Sequence, residues 1–247
     1  MTTALARPGI ALVVLCVVMV LTAAAIYRVT ALGRQMVPPA AALRGALQLA
    51  AVSLVLMSAL SQLWSSILVL VAMFAAAGFT VYRRAEAGRS GLRLAVALVA
   101  GTGVALPMML LSGVVPLEGV ALVPIGGIIL GNSMAATSLS ARRALSALHD
   151  RHGEVEAALS LGLSERDSRL EIIRQSAGDA LLPGLDQTRT VGLVTLPGAF
   201  VGVLLATGSA VQAGAVQILV LAGLLLAQTC SVAMTVELIA RGSVHRR

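Results

Sequence analysis

Long apolar runs separated by short polar or glycine-containing stretches dominate the pattern of this chain. Each run approaches the ~20 residues that an α-helix needs to cross a ~30 Å hydrocarbon core. Lipid cannot satisfy unpaired backbone groups, so these runs predict helices. Seven spans are predicted, with these bounds: Pro8–Ile26, Ala41–Leu60, Leu63–Val81, Leu92–Leu111, Gly119–Leu139, Val191–Thr207 and Val211–Ala240. The predicted fold class is an all-α integral membrane protein with about seven transmembrane helices, a single polytopic domain over residues 1–247.

The arginines predict how the spans are oriented. The chain has 18 basic residues, all Arg, against 11 acidic ones, for a formal charge of +7. If residues 141–190 face the cytosol, every Arg except Arg7 lies on the cytosolic side. The positive-inside rule then predicts a multi-pass protein of the inner or plasma membrane, with the N-terminus outside and the C-terminus cytosolic. In so apolar a chain the excess of Arg reports loop orientation and does not indicate a nucleic-acid partner.

The first apolar run also has features of a cleaved signal peptide. Arg7 precedes it, and Ala23-Ala24-Ala25 could serve as a small-residue cleavage site. More positive charge follows the run than precedes it, which favours an uncleaved anchor.

The longest polar stretch, residues 141–190, lies between spans five and six. It holds seven Arg and eight acidic residues, and this balance suits contact with another protein better than contact with anionic lipid. Glu154–Leu161 predicts a helix that ends at Gly162, and Ser164 opens a second helix through a capping box. Pro183 is predicted to end that helix. Its apolar face has helical spacing and consists of Leu170, Ile173, Ala177 and Leu181. The alternative is a solvated loop whose helices rest on the protein's own spans.

Part of this polar stretch resembles a known coupling loop. Glu156-Ala157-Ala158, Gly162 and Ile172 are similar to the cytosolic loop of many ABC-transporter permeases, which reads EAA, three residues, G, nine residues, I-x-L-P. This chain has Arg174 and Gln175 where Leu and Pro are usual.

Further motifs resemble one particular family. The first is Val123-Pro124-Ile125-Gly126-Gly127 with Gly131-Asn132-Ser133-Met134. The second runs from Leu182-Pro183 to Asp186, and the third from Thr190 through Pro197-Gly198. These motifs are similar to signatures of the FetB-type iron-export permeases, to which the plant aluminium-tolerance permeases are related.

This resemblance implies the membrane subunit of an ABC transporter that exports iron or another metal ion. A nucleotide sugar or another small solute stays open as the substrate. The chain has no G-x-x-x-x-G-K-[ST] motif and no Lys, so a separate cytosolic ABC ATPase would bind ATP-Mg, and this chain would bind no cofactor. A second copy of the permease and membrane lipid are the other expected partners. The residues expected to couple to the ATPase are Glu156, Ala157, Ala158, Gly162, Ile172 and Asp186.

Polar residues and prolines inside the spans suggest a transport path. Gln48, Asn132 and Thr195 each lie about 8–11 Å in from the cytosolic ends of their spans, at a rise of about 1.5 Å per residue. We predict that they form an inner polar layer along the path; the alternative is hydrogen bonding between helices. Pro124 and Pro197 interrupt spans five and six, where unwound backbone could line the same path.

Small residues recur at helical spacing in the same two spans. Gly127 and Gly131, and likewise Gly198 and Gly202, predict faces where helix backbones approach closely, within one monomer or across a dimer. The sequence predicts no catalytic residues and no metal site, because it has no Ser/His/Asp set, Cys cluster or paired membrane carboxylates.

Two readings from other functional classes stay open. A secondary transporter driven by an ion gradient needs an ionisable group deep in the bilayer, and the predicted spans show none. A non-transporting membrane scaffold would use the polar stretch only for docking.

Overall fold

The computed structural model describes residues 9–59 and 62–246, which form helices joined by turns, with no β-strand among them. The chain divides into two compact units, Met1–Ser58 and Ala59–Arg247. Three residues named in the sequence analysis lie outside the described residues: Arg7, which precedes the first predicted span, Pro8, which begins it, and Leu60, which ends the second.

The first unit consists of α1 (Ile10–Val29) and most of α2 (Val37–Ala59). Helix α2 begins four residues before the predicted start. Its first turn holds Pro38 and Pro39, where a missing backbone N–H removes no intrahelical hydrogen bond.

The second unit is built around four long helices: α3 (Leu63–Arg84), α4 (Leu94–Leu111), α5 (Gly119–Asp150) and α10 (Ala210–Ala240). A 3₁₀ segment, Gly88–Arg93, leads into α4. One apolar cluster joins the end of α3, the start of α4 and the ends of α5 and α10; its members include Val81, Leu94, Leu98, Ala144 and Ile239. A second cluster joins the end of α4 to the first halves of α5 and α10; its members include Met109, Ile129, Val220 and Leu224. Helices α3, α5 and α10 therefore run in one direction and α4 in the other.

Small residues bring α4 and α10 into backbone contact. A Cβ added to Gly101 would lie 2.3 Å from the carbonyl oxygen of Ala227 and 2.0 Å from Oγ of Ser231. Only hydrogen fits there, so the two helices cross as closely as their backbones allow. Close crossing at small residues is the usual way in which membrane helices gain packing contacts.

Arginines gather at one end of this bundle, which we call the arginine-rich end. Arg93 donates from Nη1 to the carbonyl oxygen of Ser243 at 2.8 Å, and Ser90 Oγ donates to that of His245 at 3.1 Å. These bonds fasten the C-terminal residues beneath the start of α4.

Six helical stretches among the described residues are long and apolar enough to cross a membrane. The predicted sixth span, Val191–Thr207, is wrong as a single helix. Residues 191–195 form a turn in which the N–H of Gly192 donates to the carbonyl oxygen of Thr195 at 2.9 Å, and α9 (Gly198–Thr207) follows. With 10 residues α9 is about 15 Å long, half of what a crossing needs.

The polar stretch has different boundaries from those predicted. Ala141–Asp150 continues α5 without a break, and Ala141 and Ala144 are fully buried. The helices that follow are α6 (His152–Ser160), α7 (Glu165–Gly178), a 3₁₀ turn (Asp179–Leu181) and α8 (Leu182–Thr190). The prediction that Pro183 ends a helix is wrong, because Pro183 lies in the first turn of α8. Gly184 in α8 packs against Gln228, deep in α10, so the chain has already returned alongside the bundle there.

Candidate functional site

A helical elbow projects from the arginine-rich end; we define it as α6, α7 and the turn between them, residues 152–178. Gly162, at φ +90°, forms the turn. The N–H of Gly162 donates to the carbonyl oxygen of Leu159 at 2.9 Å, and that of Leu163 to Ala158 at 3.2 Å. This pair of bonds is a Schellman motif, which favours glycine because a side chain is strained at positive φ. The predicted role of Gly162 as a helix end is confirmed.

The second helix of the elbow begins at the predicted cap. Ser164 Oγ accepts from the backbone N–H of Asp167 at 3.1 Å and donates to the Asp167 carboxylate at 2.7 Å. Glu165 and Asp167 place negative charge in the first turn, where the helix dipole favours it. The turn between α6 and α7 is therefore fixed by local hydrogen bonds on both sides.

The tip of the elbow is apolar and exposed. None of the residues of α6 is buried. Leu161 is 82% exposed, and Leu159 and Leu163 are exposed beside it. Glu156 is also exposed, and its carboxylate lies 3.4 Å from Nδ1 of His152. Three neighbouring exposed leucines around a rigid turn form an apolar surface of the kind that a partner protein covers.

Charged pairs hold the start of α6. Arg151 donates from Nε to Glu154 at 2.6 Å. This hydrogen bond lowers the pKa of the Glu154 carboxyl and raises that of Arg151. Glu154 therefore stays ionised at neutral pH, near the positive end of the α6 dipole.

Helix α7 faces the bundle with the apolar side that its spacing predicted. Ile173 and Ala177 are fully buried, and Leu170 packs against the same cluster. Ile172 is only 5% exposed. The side chain of Ile172 is therefore part of the interior packing of α7, and its role in coupling to an ATPase stays a prediction.

A charged network ties the elbow to the end of α10. Arg166 donates to both carboxylate oxygens of Glu237, at 2.9 and 2.7 Å, and Arg241 donates to the same carboxylate at 2.5 Å. The hydrogen bonds to the Glu237 carboxylate raise the pKa of Arg166. Arg169 adds a longer bond, 3.4 Å, to the carbonyl oxygen of Ala240. The bidentate geometry fixes the direction of the Arg166 side chain and thereby the distance between the two helices.

The other predicted coupling residues lie in different places. Ala157 is exposed and Ala158 half-buried, both on α6 behind the elbow tip. Asp186 lies on α8, beyond α7 and away from the tip, and its carboxylate pairs with Arg189 on its own helix at 3.3 Å.

Between α5, α9 and α10 an open cavity of about 990 Å³ enters the second unit. Its wall is mainly aliphatic and includes Pro124, Ile128, Pro197, Val203 and Leu224. The loop before α5 and one residue of α8 complete the wall. This size is at the upper end of the range of about 300–1,000 Å³ typical of small-molecule sites.

Four polar side chains line this cavity. Glu118 is the residue just before α5, at the end opposite the arginines. Asn132 donates from Nδ2 to the carbonyl oxygen of Ile128 at 2.8 Å. Gln187 comes from α8 and Gln217 from α10. Neither glutamine was predicted: Gln187 lay in the stretch taken as wholly cytosolic, and Gln217 is the kind of isolated amide inside an apolar run that could have been noticed.

The predicted transport-path residues are only partly brought together. Pro124, Asn132 and Pro197 line the cavity. Thr195 is exposed in the turn before α9 and does not line it, and Gln48 belongs to the first unit. The three-residue polar layer stays a prediction.

The predicted small-residue faces differ from each other. A Cβ on Gly127 would lie 2.8 Å from Cε of Met73, so the absence of a side chain at Gly127 lets α3 pack closely against α5. No described atom lies within 4 Å of a Cβ added to Gly131, Gly198 or Gly202. Within the described chain these three therefore do not bring helices together, and the latter two border the cavity.

No group of three or more His, Cys, Asp or Glu side chains among residues 9–59 and 62–246 is placed to hold a metal ion. The polar side chains among the described residues of the cavity wall are one carboxylate and three neutral amides.

Comparison with known proteins identifies the family. The model of the uncharacterised protein family UPF0014 matches residues 10–243. The chain is 32% identical over 191 residues to "UPF0014 membrane protein STAR2" of Oryza sativa subsp. japonica, covering 76% of this chain and 67% of that protein. It is 31% identical over 181 residues to "Protein ALUMINUM SENSITIVE 3" of Arabidopsis thaliana, covering 72% and 66%.

A bacterial relative carries a more specific name. The chain is 34% identical over 125 residues to "Probable iron export permease protein FetB" of Escherichia coli (strain K12), covering 51% of this chain and 48% of that protein. The chain thus spans about two thirds of the plant relatives and about half of this one. No solved structure matches the chain. With six candidate spans among its described residues and a family match over nearly its whole length, the chain is a multi-pass membrane protein that belongs to the UPF0014 family.

Proposed function

We propose that this chain is the permease subunit of an ABC transporter that exports iron or another metal ion. A separate cytosolic ATPase, which binds ATP-Mg, supplies the energy, and two copies of the permease act together in the inner or plasma membrane. The arginine-rich end faces the cytosol, as the positive-inside rule requires. The name of the FetB relative supports both the permease role and iron as cargo.

The exposed elbow carries this proposal. Leucines that surround a rigid glycine turn would dock into an apolar groove of the ATPase, and the Glu156 carboxylate beside them would set the orientation. Because α6 packs little against the bundle while α7 packs firmly, a partner can grip the first helix without disturbing the interior.

The chain beyond the elbow offers a route for movement. Helix α7 continues through the 3₁₀ turn into α8, and α8 contributes Gln187 to the cavity wall. After the turn at residues 191–195, Pro197 and the first residue of α9, Gly198, contribute to the same wall. A displacement of the elbow by ATPase closure would therefore reach the cavity along one continuous segment. In this proposal Pro124, Asn132 and Pro197 line the transport path.

Replacement of Leu161 by Asp tests the docking. The permease is co-expressed with ABC ATPase subunits from its own source, and the ATPase recovered with it is measured together with ATP-dependent iron flux in vesicles. We expect Leu161→Asp to reduce ATPase recovery at least about tenfold, since buried apolar anchors at the centre of an interface cost about 2 kcal/mol or more when lost.

The matched control is Leu117→Asp, which places the same charge on an exposed leucine at the opposite end of the bundle. It should leave ATPase recovery unchanged. If Leu117→Asp abolishes recovery and Leu161→Asp does not, both the docking surface and the orientation are wrong.

A further inference from the structure

The cavity between α5, α9 and α10 has a wall unlike that of a site for a free metal ion. Transition metals in proteins are held by several thiolate, imidazole or carboxylate ligands. The described lining residues include one carboxylate, no His and no Cys. Apolar side chains cover most of the surface, and they favour a ligand with an apolar surface of its own.

The charge on the described cavity wall is negative only. Glu118 is the single charged side chain among the lining residues, and its carboxylate makes no ion pair with any described residue. None of the described Arg residues lines the cavity, although the chain has 18 Arg in all. An anion such as a nucleotide sugar would meet repulsion at Glu118 with no compensating cation, whereas a positive charge would be attracted.

One polar group in the wall lacks a partner. Gln217 is 4% exposed, and its Oε1 accepts no hydrogen bond from any described residue. A buried amide oxygen without a donor costs about 1–3 kcal/mol, and buried polar groups in proteins are usually hydrogen-bonded. A ligand N–H or O–H that enters from the cavity, with rotation of the amide, would supply this donor.

From these features we infer that the cavity binds an organic solute with an apolar body and no net negative charge. This inference rests on the proposed transport function and names the substrate class of the same protein. A metal ion would enter the cavity as a neutral or cationic complex whose organic ligands cover it, and would not bind as a free hydrated ion.

Two probe ions of matched shape and opposite charge test the inference. Tetraphenylphosphonium and tetraphenylborate share four phenyl groups and differ in sign. Saturable binding of each is measured by equilibrium dialysis against the full permease in lipid nanodiscs, with empty nanodiscs as background. We expect saturable binding of tetraphenylphosphonium, at least about fivefold tighter than that of tetraphenylborate. Ferrous iron alone, added without oxygen, should not displace it.

The structure supplies matched variants. Gly202→Leu fills the cavity from a position where no described atom lies within 4 Å of the added Cβ, and should abolish saturable binding. Gly198→Leu fills the cavity from another point of the wall and replaces the first variant in the test if that one folds poorly. Gly214→Leu, on α10 with equal free space but outside the cavity, should bind like the unmodified protein.

The polar contacts are tested separately. Glu118→Gln should weaken binding of tetraphenylphosphonium about two- to fivefold, as expected for an exposed charge pair, and Glu171→Gln on the elbow should not. Tetraphenylphosphonium has no donor, so Gln217→Leu should leave its binding within about twofold and thereby separate the charge from the amide.

Several results would overturn the inference: no saturable binding, equal or tighter binding of the borate, displacement by ferrous iron, or full binding by both Leu variants at positions 198 and 202. These measurements use the permease without an ATPase. Binding that fails while ATPase recovery succeeds therefore refutes the inference alone, and the reverse result refutes the proposed function.

Discussion

The crossing of α4 and α10 at Gly101 gives a prediction whose size follows from the geometry. Gly101→Ala places a methyl group 2.3 Å from the backbone oxygen of Ala227. Normal contacts of this kind exceed 3 Å, so the helices must separate by about 1 Å or a side chain must leave its rotamer. Overpacking of this kind costs about 1–3 kcal/mol. The neighbouring Ser231 Oγ can rotate away, but the Ala227 carbonyl is part of α10 and cannot.

Gly103→Ala is the internal control, two residues along the same helix. There the nearest atom to an added Cβ is Cγ1 of Val99, 3.9 Å away, which is ordinary contact. Both substitutions gain the same helix propensity, about 1 kcal/mol, so their difference isolates the crossing. We expect Gly101→Ala to be about 1–3 kcal/mol less stable than Gly103→Ala.

The measurement is unfolding of the purified protein in mixed micelles with a rising fraction of dodecyl sulfate, followed by far-ultraviolet circular dichroism. Equal midpoints for Gly101→Ala and Gly103→Ala would refute the close crossing. A lower midpoint for Gly103→Ala would mean that α4 presents the opposite face to α10.

Two further predictions use the same assay. Gly184→Ala places a Cβ 2.0 Å from Oε1 of Gln228. The end of that side chain must turn away, so the substitution should cost about 1 kcal/mol, whereas Gly178→Ala, with no described atom within 4 Å of the added Cβ, should not destabilise the protein. Equal stabilities of the two variants would show that α8 does not lie beside α10. A double-mutant cycle of Arg166→Gln and Glu237→Gln should show favourable coupling at low salt that shrinks at high salt, because the pair is bidentate but exposed. Strictly additive effects would show that the pair does not hold the elbow.

Hydropathy and local caps predicted much of the architecture. Four helix ends lie at the predicted residues, because a polar residue flanks each apolar run there: Leu63 after Gln62, Leu111 before Ser112, Gly119 after Glu118 and Ala240 before Arg241. The elbow was predicted for a similar reason: a Schellman glycine and a serine cap act through backbone bonds within a few residues.

Features that depend on tertiary contacts were not predictable in this way. Val191–Thr207 is apolar enough to resemble a span, but hydropathy does not register the backbone break at Gly192, whose φ is +82°. The extension of α5 to Asp150 depends on Ala144 packing against other helices. Ile172 fits a sequence motif by spacing, yet spacing does not say which face of α7 meets the bundle.

The break in the predicted sixth span and the cavity have the same physical origin. Helix α10 is 31 residues, about 46 Å, while α9 beside it covers only about 15 Å of that length. The backbone of Pro197 is extended, with ψ 152°, and Pro197 is the N-cap of α9, so together with the turn at residues 191–195 it separates α9 from α8. A full-length helix would cover the neighbouring faces of α5 and α10, but the chain instead leaves them open as the cavity wall. The residues that interrupt the predicted sixth span thus create the space that a solute would occupy. They lie on the segment that leads directly from the elbow.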